Sequence, residues 1–473
     1  MKILLINPYP SYASGTEGTV YPPLGLLYLA RAASGKGHTV KVCDANKLKS
    51  GTAGVLSVIK EYAPDLAGIS INIVTMKAGL ELAAAIRKDH PSIILAAGGP
   101  MPSTQPEKFA NYFNTVCVGE GERTFMELLA SLSAGRSIKG LAGTVCIEDG
   151  RVFSGPPRGL IEDIDSLGYP AYDLLEPDLS YYSKGARVVK QIMAPLMTSR
   201  GCPYLCNYCN KSVFGPRFRK RSPSNVLGEI EMLHGDFGVN QLDIMDDNFS
   251  LDTQRAETIF DMMIKTGYGF AVNCHNGVRA DNLTLPLIDK MKRAGVFKAG
   301  IGIESGSDRV LKEIKKKLDK NKVAEAVKQF RKRGIIVHGY YMFGLPGDDS
   351  TSMQETIDFA VKLNTHFANF SICIPFPGTE AYDIVKKDGV FLEDVEEGVA
   401  SGFFDGRVFF ETDRTKKEDV AKYYKLAYKK FYFRPVKALD ILLSIHSFSE
   451  LLWLAGIFLS LSRSIFRRKK ADA

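Results

Sequence analysis

At 473 residues, 45% hydrophobic and 24% charged, the chain has the composition of a globular protein with room for about three domains. The formal charge of +8 is unevenly placed: Arg414 to Lys470 holds 14 Lys/Arg against 4 Asp/Glu, leaving about −2 for the rest, so no basic face for general nucleic-acid binding is expected. The eight cysteines show no disulfide framework and point to a reducing compartment. MKILLINPYP is cut by Pro8 and Pro10 and makes no signal peptide, so the body of the protein is expected in the cytoplasm.

From Lys2 to about Gly121 short apolar runs alternate with helical patterns. KILLIN, TVKVCDA, LAGISI, SIILAAGG and TVCVGEG read as buried strands; LGLLYLARAASGKG, the segment near Val55–Ala63 and MKAGLELAAAIRKDH read as helices. This alternation predicts an open parallel sheet covered on both faces, with a ligand crevice beyond the strand C-termini. The crevice loops would be Asn7–Tyr12, Ser70–Thr75, Gly98–Met101 and Gly119–Glu122, with Asn7, Gly25, Ser70, Gly98, Gly99, Gly119 and Glu120 as candidate ligand contacts. No G-x-G-x-x-G follows the first strand, which disfavours a dinucleotide. Glu148-Asp149-Gly150 reads as a hairpin turn, and the Pro/Gly/Asp-rich stretch from Gly155 to about Tyr182 as an irregular arm packed on its neighbours.

The stretch TSRGCPYLCNYCN, Thr198 to Asn210, holds Cys202, Cys206 and Cys209 in a C-x3-C-x2-C spacing. Three thiolates on so short a loop can converge on a soft metal centre. A structural zinc site asks for four closing ligands, and the remaining cysteines (Cys43, Cys117, Cys146, Cys274 and Cys373) are scattered singly. On a four-iron cluster, three thiolates leave one iron open to another ligand. A non-catalytic metal-binding module is the competing class; Cys274 and Cys373 read as small core residues.

From about Val189 to Phe376 strand and helix alternate again. APLMTS, QLDIMDD, AVNCHNGV, KAGIGIES, VHGYYMFG and FANFSICIPF are the expected strands of an open, partial TIM-like barrel, whose ligands meet the C-terminal strand ends. Asp246, Asp247 and Asn248 close the second strand, Arg279 follows the third, Glu304 closes the fourth, and Gly344, Pro346 and Gly347 follow the fifth. Each has a structural alternative, a helix cap or a surface ion pair. His275, Tyr340 and Tyr341 fall at the same end.

The cysteine loop, with Tyr208 before its last cysteine, resembles the signature of radical S-adenosylmethionine (SAM) enzymes, and the rim residues follow that family's order. The resemblance implies a [4Fe–4S] cluster on the three cysteines, its open iron chelating the amino and carboxylate groups of SAM. An electron donor such as ferredoxin or flavodoxin would then drive cleavage to methionine and a 5′-deoxyadenosyl radical. It implies SAM contacts from Asp246, Asp247 and Asn248 as a group, where DDNF stands in place of the usual Gly-Gly-Glu-Pro, and from Glu304 at the ribose, with Tyr208 and the GYYMF strand near the adenine. The first domain resembles the cobalamin-binding domain that precedes many such barrels, on Pro22-Pro23-Leu24-Gly25, Gly98-Gly99-Pro100 and Gly119-Glu120-Gly121-Glu122 with Thr124. Asn7-Pro8-Tyr9-Pro10 lacks the histidine that ligates cobalt in many of these domains, and His38 and His90 read as surface residues. The expected organisation is a Rossmann-like cobalamin domain over 1–142, a connector over 143–188, a partial (β/α)6 barrel over 189–400 and a helical C-terminal region over 401–473. The implied activity is methylation of an unactivated carbon in a small-molecule or lipid-like substrate, or else cyclisation or C–C coupling.

Glu418–Leu439 interleaves Tyr and Phe with Lys and Arg, which suits either an anionic lipid surface or a helix packing its aromatics inward. The charge-free run Leu451–Ser462 is too short to span a bilayer. An interfacial helix closed by Arg467, Arg468, Lys469 and Lys470 is expected, placing the enzyme peripherally on the inner face of the membrane, unless Trp453 packs on the barrel or a dimer mate.

Overall fold

The computed structural model describes residues 1–10, 21–45, 51–176, 178–183, 188–401 and 406–443. Two mostly parallel sheets carry the fold. The first has seven strands: β1 (Lys2–Asn7), β2 (Thr39–Asp44), β3 (Leu66–Ser70), β4 (Ile94–Gly98), β5 (Thr115–Cys117), β6 (Thr144–Glu148) and β7 (Arg151–Ser154), in the order β2-β1-β3-β4-β5-β6-β7. Alternate residues of β1 explain its continuous apolar run. Ile3 and Leu5 join the core beneath the Leu24–Ser34 and Gly121–Ser133 helices, whereas Leu4 and Ile6 join that beneath Gly51–Tyr62 and Met76–Asp89. The chain reverses direction at β1/β3, where an open α/β sheet forms its crevice.

The hairpin is where expected: Asp149 and Gly150 both take positive φ, and β6 pairs antiparallel with β7. It belongs to the first sheet, however, because β6 also pairs with β5. The connector therefore begins only after Ser154, not at residue 143. Beyond it the arm is packed: Ile161, Ile164, Ala171, Tyr172, Leu175, Leu179 and Tyr182 are buried. Tyr172 donates to the Pro195 carbonyl at 2.8 Å and Tyr182 to Asp44 at 2.9 Å, tying the arm to both sheets.

The second sheet contains six parallel strands: β8 (Met193–Leu196), β11 (Gln241–Ile244), β12 (Ala271–Val278), β13 (Val296–Glu304), β14 (Ile336–Phe343) and β15 (Phe367–Ile372), with β8 and β15 at its edges. Between β8 and β11 the short strands β9 (Ser199–Arg200) and β10 (Arg219–Lys220) clamp the two ends of the cysteine loop antiparallel. Helices Pro223–Phe237, Thr253–Thr266 and Lys320–Lys332 begin at side-chain caps from Ser222, Asp252 and Asp319. Strand β16 (Gly389–Phe391) pairs with β17 (Phe410–Thr412) across the expected boundary at residue 400, so the C-terminal region is continuous with the barrel.

The aromatic and basic stretch forms a helix, Lys417–Tyr432, against β15 and the Ser350–Leu363 helix. Val420, Ala427 and Phe431 are buried there. Tyr432 accepts from the Ala368 amide at 2.9 Å and donates to its carbonyl at 2.7 Å; Tyr428 does the same at Phe370, at 3.3 and 3.0 Å. Two hydroxyls four residues apart thus pair the open side of an edge strand. Within Lys417–Tyr432 the inward-packing alternative holds for Tyr428, Phe431 and Tyr432, whereas Phe433 just beyond is exposed. Leu451–Ser462 and the terminal basic cluster lie outside the described residues. Among the described residues no helix is long and apolar enough to cross a membrane.

Candidate active site

The cysteine loop leaves β8 at the C-terminal end of the barrel. Gly201 turns the chain at φ +81°, where a Cβ would stand 2.3 Å from the Arg217 carbonyl, so only glycine fits before Cys202. Cys202 and Cys206 are half-buried and Cys209 is exposed. The protein mass around the loop removes water from the Cys209 thiol and, with the like charge of Cys206 beside it, raises its pKa to about 11. Three thiols on one short loop suit a soft cation. They are the donor set of a four-iron cluster with one iron left open.

Cys202 and Cys206 wall a cavity of about 370 Å³ together with Tyr204, Asp247, Asn248, Arg279, Glu304, Lys316, His275 and Tyr340, among others. Both barrel strands that bound it bulge there: β12 loses register between Cys274 and Val278, and β13 between Gly302 and Glu304. Glu304 itself takes φ +66°, a strained conformation for a residue with a long side chain.

The expected contacts divide. Asp246 lines the cavity, but its carboxylate is consumed by the cysteine strand: it accepts from the Thr198 amide and hydroxyl, both at 2.6 Å, and from the Ser199 hydroxyl at 2.5 Å. Burial raises its pKa against those hydrogen bonds. Asp247 accepts from the Gly201 amide at 3.0 Å and also has a pKa raised by burial. Asn248 approaches the Cys202 sulfur at 4.0 Å, and its buried Oδ1 has no protein partner, an acceptor ready for a ligand's donor. Arg279 pairs with Asp281 at 2.9 Å and lies 3.7 Å over the Tyr204 ring; its guanidinium also donates to the Lys316 and Lys317 carbonyls. It is therefore engaged by the protein's own groups. Tyr208 lies outside the cavity lining, packed on the cluster of Val310, Leu311, Ile314 and Cys373. Tyr340 faces the cavity with its hydroxyl 2.7 Å from His275 Nδ1, whereas Tyr341 is buried in the main core. Cys274 and Cys373 are buried, and burial pushes both thiols up.

A second, mostly apolar slot of about 150 Å³ lies beyond the C-termini of β1, β3, β4 and β5. Gly25, Ser70, Gly98, Gly99, Gly119 and Glu120 line it. Asn7 does not; its amide donates to Asp44 at 2.9 Å. The slot offers a mostly apolar wall to a ligand. Its far wall comes from the segment bearing the cysteines: Met197, Arg200, Val213 and Phe214. Glu120 is a clamp between domains. It accepts from Arg200 at 2.8 Å, Arg219 at 2.6 Å and the Ile161 amide at 2.8 Å. Arg200 also pairs with Glu122 at 2.6 Å and lies 5.1 Å from the Tyr28 ring centre and 5.0 Å from that of Phe214.

Sequence reasoning missed Arg200, Arg219 and Lys316. Adjacency to the cysteines was a signal for Arg200. Lys316 sits in a run of three lysines that reads as a solvated face.

A parallel sheet domain with a switch-point slot, joined to a partial barrel bearing a three-cysteine loop, defines the class: an iron–sulfur radical enzyme with a corrinoid-type domain. Residues 196–360 match the radical SAM superfamily and residues 13–129 the B12 binding domain. An uncharacterized methyltransferase of Pyrococcus horikoshii is 32% identical over 459 residues, covering 95% of this chain and 96% of its own. The cytidylyl-2-hydroxyethylphosphonate methyltransferase of Streptomyces wedmorensis is 28% identical, covering 80% of each chain. Among solved structures, the radical SAM methyltransferase TsrM of Kitasatospora setae, with cobalamin and a [4Fe–4S] cluster bound, superposes with a TM-score of 0.70 at 17% identity, over 92% of this chain and 89% of its own. The chain belongs to the cobalamin-dependent radical SAM methyltransferase family, and it is an enzyme.

Proposed function

We propose that this enzyme methylates an unactivated carbon of an apolar, lipid-like small molecule. One observation carries the reading: a single segment bearing three thiols walls both the barrel cavity and the slot of the first domain. Cys202, Cys206 and Cys209 hold the cluster. Asn248 Oδ1 and Asp247 receive the SAM ammonium, Glu304 the ribose hydroxyls, and Tyr340 borders the adenine. Gly25, Ser70, Gly98, Gly99 and Gly119 border the corrinoid. When bound, these cofactors supply the electron that splits SAM into methionine and a 5′-deoxyadenosyl radical, and the methyl group that is transferred.

The chain's own residues position and shield. Asp246 and Asp247 fix the backbone at Thr198 and Gly201, and so the first thiol. His275 and Tyr340, joined by a hydrogen bond, form part of the cavity wall. On the outer side, Leu205 is 62% exposed beside Cys206 and Cys209, giving a ferredoxin or flavodoxin a face close to the thiols. Phe433, Val436 and Leu439 are exposed just before the apolar terminal segment, and this end of the chain rests on the inner face of the membrane.

The test is oxygen-free reconstitution with iron, sulfide and hydroxocobalamin, followed by turnover of labelled SAM with a lipid extract. Visible cluster absorbance, bound corrinoid, and S-adenosylhomocysteine together with 5′-deoxyadenosine are expected. Deoxyadenosine alone would mean ring closure or C–C coupling instead. A colourless, zinc-loaded protein would reduce the chain to a binding module.

A further inference from the structure

Six non-glycine residues described here have positive φ, and three of them surround one side chain. Glu304 (66°), Lys315 (58°) and Lys317 (48°) bracket Lys316. Left-handed backbone at such residues persists only where the surroundings impose it, and it concentrates at functional sites. Here the imposing group is Arg279, which donates to the Lys316 carbonyl at 3.0 Å and to that of Lys317. Asp281 completes the hold, pairing with Arg279 and accepting from the Asp319 amide at 3.4 Å.

The result is a lysine pressed into the barrel cavity. Lys316 Nζ donates to Glu304 Oε1 at 2.9 Å and lies 3.4 Å from the Tyr208 hydroxyl. Both charged side chains are largely buried, 14% and 11% exposed. Space beside them is reserved: a Cβ on Gly302 would stand 2.7 Å from Glu304 Oε1 and 3.2 Å from Lys316 Nζ. A surface ion pair would require neither left-handed backbone at Glu304 and on either side of Lys316 nor a glycine beside them.

We propose that Lys316 is a positioning residue: it fixes one oxygen of Glu304 so that the other addresses the ribose hydroxyls of SAM, and this pair selects the ribose. The inference rests on the reading of this cavity as the SAM site. A carboxylate held at one oxygen has lost most of its rotational freedom before the ligand arrives, so hydrogen bonding to the ribose costs less entropy. Unheld, it would be a buried charge without a counter-ion.

The experiment measures equilibrium binding of SAM and of its 2′-deoxyribose analogue to the full-length, cluster-reconstituted protein. Wild type, Lys316→Met, Lys316→Arg and Gly302→Ala are compared, with iron and sulfide content and circular dichroism confirming the fold of each. Wild type should prefer SAM by at least about 10-fold, the loss expected when a buried polar group is left unpaired. Lys316→Met should weaken SAM binding about 10-fold while changing the analogue by less than about 3-fold, so that discrimination collapses. Gly302→Ala should do the same with both charges in place, and Lys316→Arg should restore most of the preference. Unchanged discrimination in Lys316→Met, or equal losses for both ligands, overturns the proposal. Wild type that binds no SAM at all would overturn the reading of the site and this inference with it.

Discussion

Asp246 and Asp247 are adjacent in sequence and divide the labour of the loop above them. Asp246 is a structural acceptor for three donors, and Asp247 holds the Gly201 amide at the turn into Cys202. Asp246→Ala would leave buried hydroxyl and amide donors unpaired, at about 1–3 kcal/mol each. We expect it to lose iron-binding capacity through loop disorder, measured as iron per chain after reconstitution. By contrast, Cys202→Ala, Cys206→Ala or Cys209→Ala should abolish reductive SAM cleavage, and normal 5′-deoxyadenosine from any one of them would remove that ligand assignment. Asp348 yields a pH prediction. Burial raises its pKa from 3.8 to about 7, against hydrogen bonds from Ser352 and Leu345. The folded state then binds more protons than the unfolded one between these two values, so this contribution to stability is full below pH 4 and is lost as pH rises towards 7. Asp348→Asn should remove that slope, so its urea midpoint should gain on wild type from pH 5 to pH 7.5.

Among elements, the Lys417–Tyr432 helix shows how tertiary context settles an even choice. Its pattern of aromatics and lysines is the same whether it meets lipid or protein. What decides is β15, an edge strand whose free amides and carbonyls need partners that a bilayer surface does not offer. Tyr428→Phe with Tyr432→Phe should raise amide exchange at Ala368 and Phe370 about 10-fold or more, since each net hydrogen bond is worth about 1 kcal/mol. Unchanged exchange would mean that the hydroxyls do not cap the strand. The bulges in β12 and β13 belong to this scale too. AVNCHNGV and KAGIGIES read as unbroken strands, and only packing against neighbours reveals where the ladder slips and turns His275 and Glu304 to the cavity.

Across the molecule, the two domains act as one through a buried charge network. Arg200 and Arg219 reach from the cysteine segment to Glu120 and Glu122 of the first domain, all with side chains 9% exposed or less. Arg200→Met should strand the buried Glu122 carboxylate at a cost of about 3–5 kcal/mol, while Glu120 keeps Arg219. Its signature is faster amide exchange at both Glu120–Glu122 and Ser199–Gly201; a change on one side alone would argue against coupling. The C-terminal end makes a prediction of its own. The full chain should co-float with anionic liposomes, and a chain ending at Tyr432, just before the exposed Phe433, Val436 and Leu439, should not. Equal behaviour would remove the membrane proposal.

The sequence by itself determined the chemistry and the succession of strands and helices along the chain. Cysteine spacing is local, a strand buried on both faces needs a continuous apolar run, and Gly201, Gly99 and Gly119 mark turns that admit little else. Only the tertiary structure decided which polar residues face a ligand and which are spent on the protein. Asn7, Glu120, Asp246 and Arg279 carry the same donors and acceptors in either role, and their partners come from segments distant in the chain, 37 residues away for Asn7 and 80 for Glu120. Lys316 was hidden for the converse reason: a lysine between lysines reads as solvated until a folded neighbour, Arg279, pulls its backbone inward.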